Sequence, residues 1–270
     1  WLSQPLRTAL THRHTLNMEG GDEAIRYSLS LKYGDEYGVM KGSDRHNVGL
    51  TLSLQYRRKK WNISNSLSMT NTKSHNSPYG SFSEYTKLNP YYRLTDENGR
   101  YQQVIEIKPM SSANNPKTVT NPLYNVQFPN KDLSNNFSIV DNFSIEYAIM
   151  DNLRVNGQVS LTKSTARSEQ FKSSHHTDFA PEEDLTQRGS YTKSTGESVS
   201  WNANAALNYN LVKGKHGMFA LLRWDVSSSK SDGINLSAKG FPDDNMDDFL
   251  FAFEMDQRVN GEESTQRSVG

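Results

Sequence analysis

Acidic side chains are concentrated in one short stretch whose chemistry suits a metal ion. Asp243, Asp244, Asp247 and Asp248 offer carboxylate oxygens, the ligands that a hard cation such as calcium prefers. Their spacing lacks the regular alternation of an EF-hand loop. A solvated loop is therefore the favoured interpretation, and we predict no metal site there.

Two further polar stretches contain residue types that can bind metals or transfer protons. His175 and His176 lie beside Asp178, but adjacent residues of a strand point to opposite faces, which argues against shared coordination. Residues 182–184 are three consecutive carboxylates with no nucleophile motif nearby, and no Gly-rich phosphate loop or serine-elbow motif is visible. We predict no catalytic residue, no cofactor and no enzymatic activity.

An aromatic cluster is the strongest candidate for ligand contact. Aromatic faces stack on sugar rings and also anchor protein interfaces. The alternative is that the cluster packs its own connection, since long ordered loops need a small core. The predicted contact residues for a substrate or a lid protein are Tyr79, Phe82, Tyr85, Tyr91 and Tyr92.

Composition restricts the classes of protein to consider. The 270 residues carry a formal net charge of zero, so no basic field indicates nucleic acid. The chain has no cysteine, which excludes disulfides and thiolate metal sites within it. Mean hydropathy is −0.78, and no apolar run approaches the roughly 18 residues of a membrane helix.

The segments that must position these residues alternate apolar with polar side chains. In residues 25–33, Ile25, Tyr27, Leu29, Leu31 and Tyr33 fall on one face of a strand and polar side chains on the other. The same pattern predicts eight strands, at roughly 6–18, 25–33, 48–56, 61–69, 137–149, 153–161, 199–211 and 218–226. The last is ambiguous, because Phe219 and Leu221 lie on its other face.

The connections alternate between tight turns and long loops. Residues 20–23, 57–60, 150–152 and 213–217 favour turns, whereas 34–47, 70–136, 162–198 and the residues after 227 read as long connections. Such loops are uncommon in compact soluble domains and normal on the outer face of a transmembrane barrel. The pattern favours an all-β antiparallel transmembrane barrel, with a soluble carbohydrate-binding β-sandwich as the alternative and a secreted β-rich hydrolase as a weaker one.

The polar phase of the strands would line the barrel lumen. Small hydrogen-bonding side chains suit a wall that faces water, although a solvated sheet face would look the same. The residues concerned are Ser28, Ser30, Thr51, Ser53, Ser64, Ser66, Asn156, Gln158, Asn202 and Asn204.

The direction of the strands bears on completeness. If the short turns are periplasmic, both ends of the eight predicted strands lie outside the cell, whereas complete barrels normally keep both ends periplasmic. Open edges in lipid would leave backbone groups unpaired. We therefore expect an internal piece of a larger barrel.

Three segments resemble one family of transporters. GGDEAIRYSLSLKYGDEYGVMKGSDRHNVGL at 20–50 resembles the start of the barrel in the SusC/RagA family of TonB-dependent outer-membrane transporters of Bacteroidetes. NSPYGSFSEYTKLNPYYRLTDENG at 76–99 resembles the first large extracellular loop of that family, and GFPDDNMDDF at 240–249 resembles a later loop.

The resemblance implies a barrel of roughly 22 strands around a plug domain. It implies import of oligosaccharides or oligopeptides across the Gram-negative outer membrane with TonB energy, and a SusD-like surface lipoprotein as a lid. Residues 1–270 would then form part of the barrel domain, about eight strands of it, without the plug domain and the remaining strands. The TonB complex would be contacted through the N-terminal region that this sequence lacks.

Overall fold

One antiparallel sheet dominates the protein. The computed structural model describes residues 2–108, 117–255 and 260–270. Its strands are β1 (Leu10–Gly21), β2 (Ile25–Tyr37), β3 (Asp44–Arg58), β4 (Trp61–His75), β5 (Val104–Lys108), β6 (Lys117–Thr120), β7 (Lys131–Met150), β8 (Leu153–Lys172), β9 (Ser190–Lys213), β10 (His216–Lys239), β11 (Glu254–Met255) and β12 (Asn260–Val269).

The order of the strands follows the chain. Ten strands form the large sheet in the order β1-β2-β3-β4-β7-β8-β9-β10-β11, and β12 also pairs with β10. The remaining two, β5 and β6, form a separate hairpin inside the connection between β4 and β7. The all-β antiparallel architecture predicted from the alternating pattern is confirmed.

All eight predicted strands are present, and most extend well beyond the predicted limits. β7 and β8 have 20 residues each, and β9 and β10 have 24. The extensions run toward the long connections, where polar residues occupy both phases. Without an apolar phase the period of two carries no signal, so the sequence pattern underestimates these strands.

Other predicted limits of strands and connections were wrong as well. The first strand begins at Leu10, and Leu6 forms only an isolated bridge with Met40. The residues after 227 are not one long loop, because β10 continues to Lys239 and β11 and β12 both pair with it. The stretch 70–136 includes the hairpin of β5 and β6.

The two faces of the large sheet differ in chemistry. On the apolar face, Leu52 and Leu54 of β3 are 39% and 47% exposed, and Val159 of β8 is 47% exposed. Among the described residues no second sheet covers this face, although a β-sandwich requires one. On β10 the apolar side chains occupy both faces, since Phe219 pairs with Asn210 and Leu221 with Asn208.

One polar pair interrupts the apolar face. Asn65 of β4 and Asp141 of β7 share the phase of Leu67 and Phe143, and Asn65 Nδ2 donates to Asp141 Oδ1 at 2.6 Å. The bond gives each polar group a partner on a surface that is otherwise apolar. The hydrogen bond lowers the cost of placing two polar groups among apolar side chains.

The polar face carries pairs of small hydrogen-bonding side chains across neighbouring strands. Ser64 and Ser144 lie 2.7 Å apart between their hydroxyl oxygens, and Ser160 donates to Asn142 at 2.7 Å. Each such bond contributes about 1 kcal/mol net. The side chains therefore support strand pairing while the face stays hydrophilic.

The short turns are formed by the residues expected to favour them. Asp22 accepts hydrogen bonds from the amides of Ala24 and Ile25, both at 2.7 Å, and these bonds lower the pKa of its carboxyl. Lys59 has φ of 52° in the two-residue turn between β3 and β4, and Gly214 has φ of 62° between β9 and β10.

Helical structure is confined to the long connections. It comprises α1 (Phe82–Thr86) and short 3₁₀ turns at Pro122–Gln127, Thr177–Phe179, Leu185–Gln187 and Phe249–Phe251. Within the described ranges, no helix has both the length and the apolar character needed to cross a membrane.

Candidate ligand-binding cleft

The connections between β4 and β7 and between β8 and β9 meet at one end of the sheet. Between them lies a partly open cleft of about 700 Å³, which we call the loop cleft. Its lining combines polar and apolar surface in similar amounts and comes from α1 and the residues after it, from the β5–β6 hairpin, from the ends of β7 and β8, and from the turn at 176–178. Residues on the lining include Glu84, Lys87, Tyr92, Lys108, Thr118, Thr120, Asn130, Lys131, Asp132, Gln170, Lys172, His176 and Asp178.

The loop cleft contains both signs of charge, and most of its cations have an acidic partner. Lys172 lies 2.5 Å from Asp178, and Lys131 forms an ion pair with Asp247. Lys87 forms no ion pair with any other described residue. An ammonium without a partner at the wall of a cleft is available to a carboxylate or another polar acceptor of a ligand.

Buried asparagines hold the connections around the cleft in place. Asn125 Nδ2 donates to Thr177 Oγ1, and the Thr177 amide donates to Asn125 Oδ1, both at 2.8 Å. Asn121, which has no exposed surface, donates to the Leu94 carbonyl at 2.8 Å. Each amide supplies a donor and an acceptor at once, so one side chain replaces two missing backbone bonds.

Replacing Asn125 with Ala should destabilise the wall of the loop cleft. Asn125 and Thr177 are 6% and 7% exposed, so the substitution leaves the Thr177 amide buried and without its acceptor, at a cost of about 1–3 kcal/mol. Limited proteolysis should show faster cleavage in residues 173–189. The exposed Asn98, whose side chain forms no hydrogen bond with a described residue, provides the control, and equal cleavage of Asn98→Ala and Asn125→Ala would contradict the assignment.

Tyr92 is the predicted aromatic residue that the structure places in the cleft wall. Its hydroxyl donates to Glu106, and the ammonium of Lys108 lies 6.0 Å from its ring centre. The Tyr92 hydroxyl is the main cause of the lowered pKa of the Glu106 carboxyl. The three residues form a small polar cluster with one aromatic face.

The other four predicted aromatics do not share one surface. Tyr85 has no exposed surface, and its hydroxyl donates to the Tyr79 carbonyl at 2.9 Å, so Tyr85 acts as the core of its own connection. Tyr79 lies under Lys41, whose ammonium is 5.9 Å from its ring centre. Phe82 is 39% exposed and Tyr91 is 91% exposed, and both are free to meet a partner.

The acidic stretch at 243–248 serves the connections themselves. Asp244 accepts a hydrogen bond from Ser173, and Asp248 accepts one from the Leu250 amide at 3.0 Å. In the described part of the chain, no group of three or more acidic or histidine side chains is arranged to hold a metal ion.

The two adjacent histidines lie in a turn within the predicted long connection 162–198, and their rings have different partners. His175 stacks on Phe128 with ring centres 4.9 Å apart, and His176 accepts a hydrogen bond from the Asp178 amide at 3.1 Å. Burial lowers the pKa of the His176 imidazole. In the third polar stretch, the Asp184 carboxylate accepts a hydrogen bond from the Thr186 amide at 2.9 Å.

A second group of side chains lies where β8, β9 and β10 meet their long connections. Phe171, Tyr191 and Phe241 form a buried aromatic core on which Phe249 packs, with Tyr191 and Phe249 4.5 Å apart between ring centres. Burial raises the pKa of Tyr191 to about 12.

Above this core lie exposed apolar side chains. Leu185, Leu250 and Phe253 are 71%, 83% and 74% exposed. Gln187 and Glu254 join the two segments through a hydrogen bond of 3.0 Å. Exposed apolar side chains surrounded by polar ones are typical of a protein–protein contact surface.

Sequence reasoning missed the cations and the buried asparagines of the loop cleft. The Asn-Pro pair at 121–122 is a local signal for a turn. The contact between Asn125 and Thr177 spans 52 positions, and no local pattern could indicate it.

Comparison with solved structures indicates the kind of protein to which this fold is related. The structure described as that of the RagAB peptide transporter matches 98% of this chain with a TM-score of 0.71 at 17% identity, over 30% of that chain. The RagAB peptide importer in the closed-closed state matches 99% with a TM-score of 0.72 at 19% identity, over 30% of that chain. The RagAB peptide importer in the open-open state matches 99% of this chain with a TM-score of 0.69 at 18% identity, over 29% of that chain.

These likenesses show a related fold. The chain spans about 30% of the length of the solved chains that it matches. No protein-family model matches the sequence, and no curated protein matches it either.

Proposed function

We propose that this chain is part of the barrel of an outer-membrane transporter of the SusC/RagA type, and that it supplies wall and ligand-facing loops without catalysis. The observation that carries the proposal is a large sheet with one predominantly apolar face that no second sheet among the described residues covers, together with its likeness to transporters of similar fold. In this proposal residues 1–270 form one part of a TonB-dependent receptor barrel domain.

The membrane-spanning parts are the segments in which the apolar phase is continuous. These are the lower parts of the eight long strands, including 25–33 in β2, 48–56 in β3 and 199–211 in β9. A tilted strand crosses the hydrocarbon core with about 9–11 residues. The upper parts of β7 to β10 then stand above the bilayer and carry the loop cleft toward the outside of the cell.

The loop cleft is proposed as part of the surface that meets an oligopeptide or an oligosaccharide. The related solved structures are described as peptide transporters, which favours a peptide. A cleft with a free Lys87 ammonium, amide and hydroxyl groups and the Tyr92 ring suits the backbone and termini of a peptide. Tyr79, Phe82 and Tyr91 are proposed as contacts, with Tyr85 supporting them from beneath.

The partners in this proposal follow the same division of surfaces. Outer-membrane lipid contacts the apolar face of the sheet. A SusD-like lipoprotein contacts the loop end, where Leu185, Leu250 and Phe253 are exposed. The TonB complex acts through a region that precedes these residues.

Ligand binding to the intact protein tests the proposal. Purified protein is titrated with a mixed octapeptide pool and, separately, with a series of gluco-oligosaccharides. We expect peptide binding, and Tyr92→Ala should weaken it about tenfold, the equivalent of about 1.4 kcal/mol. Tyr92→Phe keeps the ring and should lose less.

A matched pair of lysines provides the charge control. Lys87→Met removes the ammonium of the cleft that has no ion pair with a described residue, and it should weaken peptide binding. Lys215 lies in the turn between β9 and β10, away from the cleft, and Lys215→Met should leave binding unchanged. Binding of neither ligand class, or equal effects of the two lysine variants, would overturn the assignment of the cleft.

A further inference from the structure

We propose that a chain of alternating histidine and aspartate side chains across β1 to β4 is a proton-binding site that controls how firmly the loop end is held. Its members are His12 of β1, Asp35 of β2, His46 and Asp44 of β3, and His75 of β4. We call these five residues the histidine–aspartate chain. The inference does not depend on what the protein transports.

The contacts run without a gap from one side of the group to the other. Asp35 lies 3.4 Å from His12 Nε2 and 2.5 Å from His46 Nδ1. Asp44 lies 3.3 Å from His46 Nε2 and 2.7 Å from His75 Nδ1. Two carboxylates therefore bridge three imidazoles, and four strands are cross-linked through side chains.

The strand register explains why these residues meet. Asp35 pairs with His12 on one side and His46 on the other, and Asp44 pairs with His75. All five share the phase of the apolar face, just beyond the segments 25–33 and 48–56. The chain therefore lies where the apolar surface gives way to polar surface, and Asp35 is only 6% exposed.

The surrounding groups leave few other sources of charge. The Tyr33 hydroxyl donates to Asp35 at 2.7 Å, and His14 stacks on the Tyr33 ring. Tyr37 meets His46 edge-on at 6.4 Å between ring centres, and Lys73 pairs with His46 in the strand register.

The nearest other ion pair lies on the opposite face. It joins Arg13 and Glu36 at 2.6 Å. The Nδ1 atom of His12 is buried and has no hydrogen-bond partner among the described residues.

The charge of His46 depends on pH in the range where imidazoles titrate. The bond to Asp35 raises the pKa of His46, and the bond from His46 lowers the pKa of Asp35. Stabilisation through the raised His46 pKa is complete below the unfolded value of about 6.5 and is lost as pH rises through the folded value. Stabilisation through Asp35 is present above about pH 4 and is lost in stronger acid. The chain is therefore most stabilising in mildly acidic solution.

The chain is directly attached to the turn between β2 and β3. Asp44 is the first residue of β3 and pairs with Tyr37, the last residue of β2, so the turn at 38–43 begins at the chain. Arg7 holds the same turn through the carbonyls of Gly38 and Ser43, at 3.0 and 2.6 Å.

This turn also contacts residues 77–79 of the connection between β4 and β7. Ser77 donates to the Lys41 carbonyl at 2.6 Å, and the Lys41 ammonium lies over the Tyr79 ring. Gly42 has φ of 77°, and a Cβ there would lie 2.6 Å from Pro78. Loss of the His46 charge therefore loosens, in order, the ends of β2 and β3, the turn and residues 77–79.

Hydrogen exchange of the intact protein, followed by mass spectrometry at pH 5.5 and pH 8.0, tests the inference. Exchange times are scaled for the intrinsic dependence of amide exchange on pH. We expect protection in residues 38–43 and 77–79 to fall by about threefold to tenfold at pH 8.0. His46→Gln should abolish this difference and leave the segments in the less protected state at both pH values.

Two further variants keep the test decisive. Asp44→Asn preserves a hydrogen-bond acceptor but removes charge, and should also reduce the difference. His216→Gln alters the histidine that begins β10, outside the histidine–aspartate chain, and should leave the difference unchanged. Equal protection of the wild type at both pH values, or an unchanged difference in His46→Gln and Asp44→Asn, would overturn the inference. Neither readout requires a ligand, so failure here is distinct from failure of ligand binding.

Discussion

Leu52→Arg is expected to impair assembly of the intact protein into membranes. Leu52 lies in the middle of the apolar segment of β3, pairs with Leu29 and Leu67, and is 39% exposed on the face that we assign to lipid. An arginine on the lipid face near the bilayer midplane costs about 2–4 kcal/mol. Assembly is measured as the fraction of folded protein recovered from bilayers.

The neighbouring position supplies the control. Ser53 pairs with Ser28 and Ser66 on the polar face, so Ser53→Arg places the same charge on the hydrophilic side and should be better tolerated. Equal losses for the two variants would show that the faces have been assigned wrongly.

Tyr85→Ala should give the second large effect, a collapse of the aromatic connection. The side chain has no exposed surface, and truncation of a buried aromatic costs about 3–5 kcal/mol. The loss should be local to residues 77–88, because the connection has its own small core. Amide exchange of this segment measures it, and peptide binding in the loop cleft should weaken with it.

Two matched variants separate packing from contact. Tyr85→Phe keeps the ring and removes the hydroxyl that donates to the Tyr79 carbonyl, so its cost should be near 1 kcal/mol. Tyr91→Ala removes a ring that is 91% exposed and should leave exchange unchanged. If Tyr91→Ala raised exchange as much as Tyr85→Ala, the assignment of Tyr85 as the core of the connection would be wrong.

The alternating pattern was sufficient to predict the strand segments that have an apolar face, and insufficient to predict their polar extensions. Residues 48–56 alternate strictly, and β3 includes all of them. The stretch of β10 from Ser227 to Gly233 has polar residues on both faces, so nothing periodic marks it, and the alternation of Ile234, Leu236 and Ala238 beyond it includes only three apolar residues. Water on both sides of a strand removes the physical reason for alternation, and pairing with β9 and β12 holds the segment instead.

The loop cleft was only partly predictable for a different reason. Aromatic composition indicated the connection between β4 and β7, and Tyr92 of that connection lines the cleft. Burial separates Tyr85 from Tyr91, although both are tyrosines of one short stretch. The difference in burial between the two tyrosines depends on how the connection folds. The bond between Asn125 and Thr177 joins segments that are distant in sequence. Local sequence patterns indicate neither of these features.

Spin-label accessibility along β3 tests the central claim most directly. The 270 residues contain no cysteine, so single cysteines at positions 50 to 55 label one site each within them. In bilayers, labels at Leu50, Leu52 and Leu54 should be relaxed by lipid-soluble oxygen, and labels at Thr51, Ser53 and Gln55 by a water-soluble nickel complex. That alternation is the predicted result. Uniform access of the nickel complex to all six positions would contradict a membrane-spanning sheet.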